Sequence, residues 1–212
     1  AEKAKAEFAK AKEALQGEGV QFPIHLDLPV DQTAKLNVSK AQSLKQTIEK
    51  SLGSENVVID INQLSSDDMQ NATLNAANAA AEDWDISNGV IWSPDYQDPS
   101  TYLDIFKASS GENTRTFLGF DPSENNEAAK KVGLYDFEKM VTEAGAETQD
   151  LNKRYEKYAA AQAWLTDSAL VIPTTSKTGR PFLTRVVPFS APFGWTGGKG
   201  KDNVVYKGME LQ

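Results

Sequence analysis

The chain predicts an α/β fold, a mixed β-sheet flanked by helices, and three observations carry that expectation. Short β-branched or alternating segments are interleaved with longer segments of helical spacing across the first hundred residues. Gly, Asp and Ser punctuate the junctions between them. Forty per cent of the 212 residues are hydrophobic, enough for a substantial core. A chain of this length fits one large domain or two small ones, and without internal repeats or low-complexity tracts residues 1–212 read as a single domain.

Ala1 to Gln16 is rich in Ala, Lys and Glu, with Phe8 and Leu15 as apolar points, and reads as a surface helix ended by Gly17 and Gly19. Phe22 to Leu28 alternates apolar and polar residues as a half-buried strand does. Ala34 to Leu52 places Leu36, Val38, Ala41, Leu44 and Ile48 at helical spacing, and Gly53 closes it. Val57 to Ile61 is a short strand. Ser65-Ser66-Asp67-Asp68 signals a helix start and leads into an Ala/Asn-rich run to Ala81. Trp84 to Trp92 is mostly apolar and reads as a third, central strand. Strands connected through helices in this way imply right-handed crossovers.

Pro99 to Phe106 is a short helix, and the polar stretch Ser109 to Asn126 a loop. Glu127 to Ala144 and Gln149 to Leu165 are helices, the second with an apolar face of Tyr155, Tyr158, Ala159, Ala163 and Trp164. Ala169 to Thr174, Phe182 to Val187 and Val204 to Tyr206 are late strands. The N-terminus begins abruptly inside a helical pattern, which we read as a piece of a longer protein cut at a domain boundary.

Composition excludes several functions. A net charge of −8 and a pI of about 4.8 oppose nucleic acid and anionic membrane surfaces, which require clustered Lys and Arg. With no Cys and a single His, His25, the chain has no disulfide, thiolate metal site, Cys nucleophile or multi-histidine metal site. No stretch approaches the roughly 18 apolar residues of a membrane span, and no signal peptide is visible.

Individual motifs separate further. Asp83 to Gly89 looks like a calcium loop, but its sixth and twelfth positions are Asn88 and Pro94, where an EF-hand needs Gly and Glu. Gly194 to Lys201 is Gly-rich but lacks phosphate-loop spacing and a following helix. His25 lies on the strand face opposite Phe22, Ile24, Leu26 and Leu28 and reads as an ordinary strand histidine. Trp84, Trp164 and Trp195 are assigned to packing.

The connection Trp92-Ser93-Pro94-Asp95-Tyr96-Gln97-Asp98-Pro99 holds aromatics beside carboxylates on a stiff backbone. Asp98-Pro99-Ser100 is a helix-start signal, which makes Asp98 a cap. Asp95 has no such local task and is the better functional candidate, with Trp92 at the carboxyl end of a strand, where α/β ligands bind. Three readings stay open on these residues: a peptide site, an oligosaccharide site stacking on Trp92 and Tyr96, and a hydrolase using Asp95 and Asp98 as paired carboxylates.

This segment resembles the Trp-x-x-Asp-Tyr-x-x-Pro pattern of the peptide-binding proteins of ABC importers, solute-binding family five. Tyr158 to Leu165 followed by Ala169 to Pro173 is similar to that family's helix and Ile-Pro strand. The closing Lys207-Gly208-Met209-Glu210 resembles streptococcal oligopeptide-binding lipoproteins of the Ami/Ali type. The resemblance implies a periplasmic-binding-protein-like lobe (type II), the second lobe of a two-lobed protein. It implies a non-enzymatic, extracellular, monomeric peptide-transport component, lipid-anchored to the cell membrane through its parent. Its partners would be an oligopeptide, the first lobe and an ABC permease, with no cofactor or metal. Asp95 then pairs the peptide's α-ammonium, with Trp92 and Tyr96 beside it. No Arg precedes Trp92 to hold the peptide's C-terminus: residues 88–91 are Asn, Gly, Val and Ile.

Overall fold

The computed structural model describes residues 2–87, 92, 94, 98–174, 185 and 187. They fall into two compact units divided between positions 90 and 91.

In the first unit the order is α1 (Glu2–Gly17), β1 (Ile24–Asp31), α2 (Lys35–Leu52), β2 (Val57–Leu64) and α3 (Ser66–Ala72), then a 3-10 turn at Ala79–Ala81. β1 and β2 pair in parallel, with Leu26 opposite Ile59 and Leu28 opposite Ile61. The alternation therefore places Leu26, Leu28 and Val30 beside Val57, Ile59 and Ile61 on one face. Val38, Ala41, Leu44 and Ile48 of α2 pack with that face. Leu28, Val30 and Ile59 are fully buried, each contributing about 1.5–3 kcal/mol of hydrophobic stabilisation. Phe8 of α1 joins this cluster and meets Phe22 edge-on at 6.4 Å.

The opposite face carries His25, Asp27, Asp60 and Asn62, with Pro29 buried beyond them. His25 Nδ1 lies 2.7 Å from Asp60 Oδ2, and Asn62 donates to Asp27 at 2.9 Å. His25 is thus the exposed strand histidine its position predicts. Away from β1, the Ile59 amide donates to Glu49 Oε1 at 3.0 Å and its carbonyl accepts from Lys45 Nζ at 2.6 Å. Lys45 and Glu49 also pair at 2.6 Å. This pair takes up the main-chain groups that a further strand would use, one way of blunting a sheet edge. The Lys45 ammonium and the Ile59 amide hold the Glu49 carboxyl below its usual range.

Several expectations need correction here. β2 continues past Ile61 to Leu64, because Asp60 and Asn62 occupy the polar face and do not end the strand. The helix from Ser65 stops at Ala72, where Thr73 turns its hydroxyl onto the Met69 carbonyl at 2.7 Å. Its start is as expected: Ser65 Oγ accepts from the Asp68 amide. Trp84 to Ser87 form no strand. The Asp85 carboxylate accepts from the Asp27 amide at 2.8 Å, and the Asp85 and Ile86 amides both donate to the Asp27 carbonyl at 3.0 Å. A side chain has replaced a ladder bond. The remainder of that predicted strand, 88–91, lies outside the described residues.

The second unit, among the described residues, is helical: α4 (Pro99–Leu103) running into a 3-10 turn at Asp104–Phe106, α5 (Thr114–Leu118), α6 (Glu127–Lys131), α7 (Leu134–Ala146) and α8 (Leu151–Asp167). Leu134, Phe137, Val141 and Ala144 of α7 bury against Tyr158, Ala161 and Leu165 of α8. Phe137 stacks on Trp164 at 5.7 Å, the packing role expected of that tryptophan. Leu103 and Ala129 complete the cluster.

The predicted helix 127–144 is two helices, because Gly133 adopts φ +76° and breaks the run. A Cβ there would lie 3.2 Å from the Trp164 ring. The predicted loop 109–126 contains α5, anchored by the buried Thr114 hydroxyl donating to the Lys107 carbonyl at 2.7 Å. Of the face predicted on α8, Tyr158 is buried while Tyr155, Ala159 and Ala163 are exposed. Residues 169–174 are irregular where a strand was expected, beginning with Ala169 at φ +59°. The segments 188–212, with Trp195, the Gly-rich stretch and the closing residues, lie outside the described residues, as does all of 182–187 except Arg185 and Val187. Among the described residues no helix is long and apolar enough to cross a membrane.

Phe137→Ala is expected to destabilise the chain by about 3–5 kcal/mol. Leu151→Ala, at a residue 64% exposed, should stay within about 0.5 kcal/mol of the parent. Urea unfolding followed by circular dichroism checks both.

Candidate functional site

Asp98 is the N-cap of α4. Its side chain, in extended backbone at φ −135° and ψ 141°, accepts the Ser100 amide at 2.9 Å, with Pro99 at the first helical position. Pro has no amide hydrogen to leave unsatisfied there, so the Asp-Pro-Ser sequence starts the helix by itself. The capping role expected for Asp98 is realised.

The same oxygen, Oδ1, also accepts from Arg154 Nη2 of α8 at 2.8 Å. Arg154 further donates to the Gly145 carbonyl at 3.0 Å, near the end of α7, and its guanidinium lies 5.0 Å from the centre of the Tyr158 ring. Cation–π attraction and a charged donor at a helix C-terminus are both favourable. One arginine thus ties α4, α7 and α8 together. Burial raises the Asp98 carboxyl pKa, but the Ser100 hydrogen bonds and then Arg154 more than reverse this, and the group sits below its usual range. Burial likewise opposes the Arg154 charge, and Asp98 restores it. Sequence reasoning missed Arg154: it is 56 positions from Asp98, and no local pattern marks it.

Beside this pair a groove of about 650 Å³ runs between α4 and α8. Tyr102 and Leu103 of α4 and Tyr155, Tyr158 and Leu165 of α8 line it, together with Asp98. Tyr102 and Tyr155 are about half exposed. Burial raises the Tyr158 hydroxyl pKa, so that group stays protonated. Trp92 meets Tyr102 edge-on, with ring centres 6.1 Å apart, an arrangement aromatic pairs favour.

Of the three candidate ligand-binding residues, Trp92 is therefore placed, half-buried, against a groove-lining tyrosine. Asp95 and Tyr96 lie outside the described residues. Among the described residues no group of His, Asp and Glu could hold a metal ion.

The lowered Asp98 pKa fixes a sign. Its contribution to stability is full above the unfolded carboxyl's pKa and is lost as pH falls through the folded one. Asp98→Asn keeps a capping side chain but loses the ion pair, so its stability should fall less steeply with acid. Asp98→Ala should cost about 1 kcal/mol more at neutral pH through the lost cap. Urea unfolding of the three proteins at neutral and acid pH reads both effects; identical acid dependence in parent and Asn variant would exclude the pairing.

No protein-family model matches the chain. Over 212 residues it is 66% identical to the oligopeptide-binding protein AliA of Streptococcus pneumoniae. It is 68% identical over 211 residues to the oligopeptide-binding protein SarA of Streptococcus gordonii, and 59% over 213 to AmiA of S. pneumoniae. Each match covers all of this chain and 32% of the relative, so the chain spans about a third of the length of the curated relatives it matches. The resemblance carried by Trp92 to Pro99 and by the closing residues extends along the entire chain, which is similar throughout to one portion of the streptococcal oligopeptide-binding proteins.

Proposed function

We propose that this chain is the second lobe of an extracytoplasmic oligopeptide-binding protein of an ABC importer. It would have the type II periplasmic-binding-protein-like fold, with residues 1–212 forming one lobe. The observation that carries this reading is identity of 59–68% along the whole chain to proteins named for oligopeptide binding. The intact protein captures a peptide between two lobes that hinge closed, then passes it to a membrane permease. It acts as a monomer on the outer face of the cell membrane, held there by a lipid anchor elsewhere in the parent. It binds and releases, and performs no chemistry on the peptide.

Asp95 pairs with the α-ammonium group of the peptide. A carboxylate facing an ammonium in a closed, partly dry cleft makes charge-assisted hydrogen bonds, about twice as strong as neutral ones. Trp92 and Tyr96 flank it, and main-chain groups hold the peptide extended, which tolerates varied side chains. Asp98 supports this division of labour: its carboxylate is engaged by Ser100 and Arg154. That engagement speaks against a hydrolase in which Asp98 works as an acid or base partner of Asp95.

In the full-length protein, Asp95→Asn is expected to weaken peptide binding by roughly tenfold to a hundredfold, and Tm without peptide should not move. The isolated chain, which offers half a cleft, should bind peptides weakly or undetectably. Titration calorimetry decides: unchanged affinity in the Asn variant would remove Asp95 from the site, and tight binding by the isolated chain would remove the two-lobed cleft.

A further inference from the structure

We infer that the Lys45–Glu49 pair of α2 keeps the protein from joining a second copy of itself along the outer edge of β2. The edge beyond the pair, from Ile61 to Gln63, is the surface through which two copies would join. This goes beyond the peptide-binding reading and does not depend on it.

The ladder fixes which groups face outward. The Ile24 amide donates to the Asn56 carbonyl at 2.8 Å and the Gln32 amide to the Leu64 carbonyl at 3.0 Å, so the even-numbered residues of β2 bond to β1. Main-chain groups of successive strand residues point to alternate sides, so Val57, Ile59, Ile61 and Gln63 present theirs away from β1. The first two of these are engaged. The Val57 amide donates to the Gly53 carbonyl at 3.1 Å, and the Ile59 amide and carbonyl are taken by Glu49 Oε1 and Lys45 Nζ. The outward amides and carbonyls of Ile61 and Gln63 find no partner among the described residues. Unpaired edge groups of this kind are a template for another strand.

The pattern selects the occupant. A second copy offers the same unpaired groups, and an antiparallel arrangement about a two-fold axis is self-complementary. With the axis at Asn62, Ile61 of each copy meets Gln63 of the other, and each such couple exchanges both of its main-chain hydrogen bonds. With the axis at Ile61, Ile59 comes opposite Gln63 of the other copy, and the pairing lengthens. Lys45 and Glu49 block that longer register, because they already hold both main-chain groups of Ile59. Their side chains are only 34% and 20% exposed and bond to each other at 2.6 Å, so the block is fixed in place. Lys45 also brings a positive charge to the edge, where it would face its own counterpart. The short register that remains gives too few bonds to offset the freedom two proteins lose on joining.

The test uses the full-length protein and sedimentation velocity over a range of concentrations. The unsubstituted protein should sediment as a monomer. The double variant Lys45→Ala, Glu49→Ala should form a reversible dimer, at least about tenfold tighter than any association of the unsubstituted protein, which is the equivalent of the added hydrogen bonds. Adding Gln63→Pro removes an outward amide that an edge strand can lose, and should return the double variant to monomer. Amide hydrogen exchange gives a second reading: the Ile61 and Gln63 amides should exchange freely in the unsubstituted protein and become protected in the double variant as its concentration rises. Unsubstituted protein and double variant that associate alike, as monomers or as dimers, overturn the inference. So does association that survives Gln63→Pro, which is the behaviour of a partly unfolded chain, and so does protection that rises elsewhere but not at Ile61 and Gln63.

Discussion

Asp98 Oδ1 accepts two donors at once, the Ser100 amide that opens α4 and the Arg154 guanidinium that projects from α8. That shared oxygen is the constraint on which the second unit's site depends. The first bond sets where the helix after the Trp92 segment begins; the second sets where that helix lies against the α7–α8 pair. Arg154 reaches the Gly145 carbonyl and the Tyr158 ring from the same position, so its charge is satisfied on several sides. The groove walls follow, because Tyr102 and Leu103 are held across from Tyr155, Tyr158 and Leu165 by the helices this pair connects.

The same commitment sorts two neighbouring aspartates by function. A carboxylate capped by an amide and paired with arginine favours its charged form, which suits a structural anchor and not a proton donor. Asp95 has no local structural duty in the sequence, and it is the aspartate we propose for an external cation. Beside Asp98, the groove between α4 and α8 is lined mainly by aromatic and aliphatic side chains among the described residues.

Much of this was legible beforehand, and the reasons are physical. The helices at 2–17, 35–52 and 151–167 show their period and their stops over several turns. Asp98 as a cap could be read because Asp-Pro-Ser is a purely local signal. The break at Gly133 and the short helix 114–118 could not, since the first depends on one residue's positive φ and the second on a buried threonine hydroxyl. The expected strand at Trp84 failed where Asp85 supplied a side-chain acceptor in place of a ladder bond. Arg154 was invisible because pairing across 56 positions leaves no pattern in composition or spacing. The peptide reading itself came from a resemblance in one strand-to-helix segment, which identity along the full chain then supported.

The account stands most directly on recognition of a free peptide amine, and that is measurable without altering the protein. The full-length protein should be titrated with one peptide in two forms, with its α-amine free and with it acetylated. Acetylation removes the positive charge and a donor while leaving the side chains and C-terminus intact. The account predicts that the free amine binds and that acetylation lowers affinity by roughly tenfold or more. Equal affinity for the two forms would contradict it.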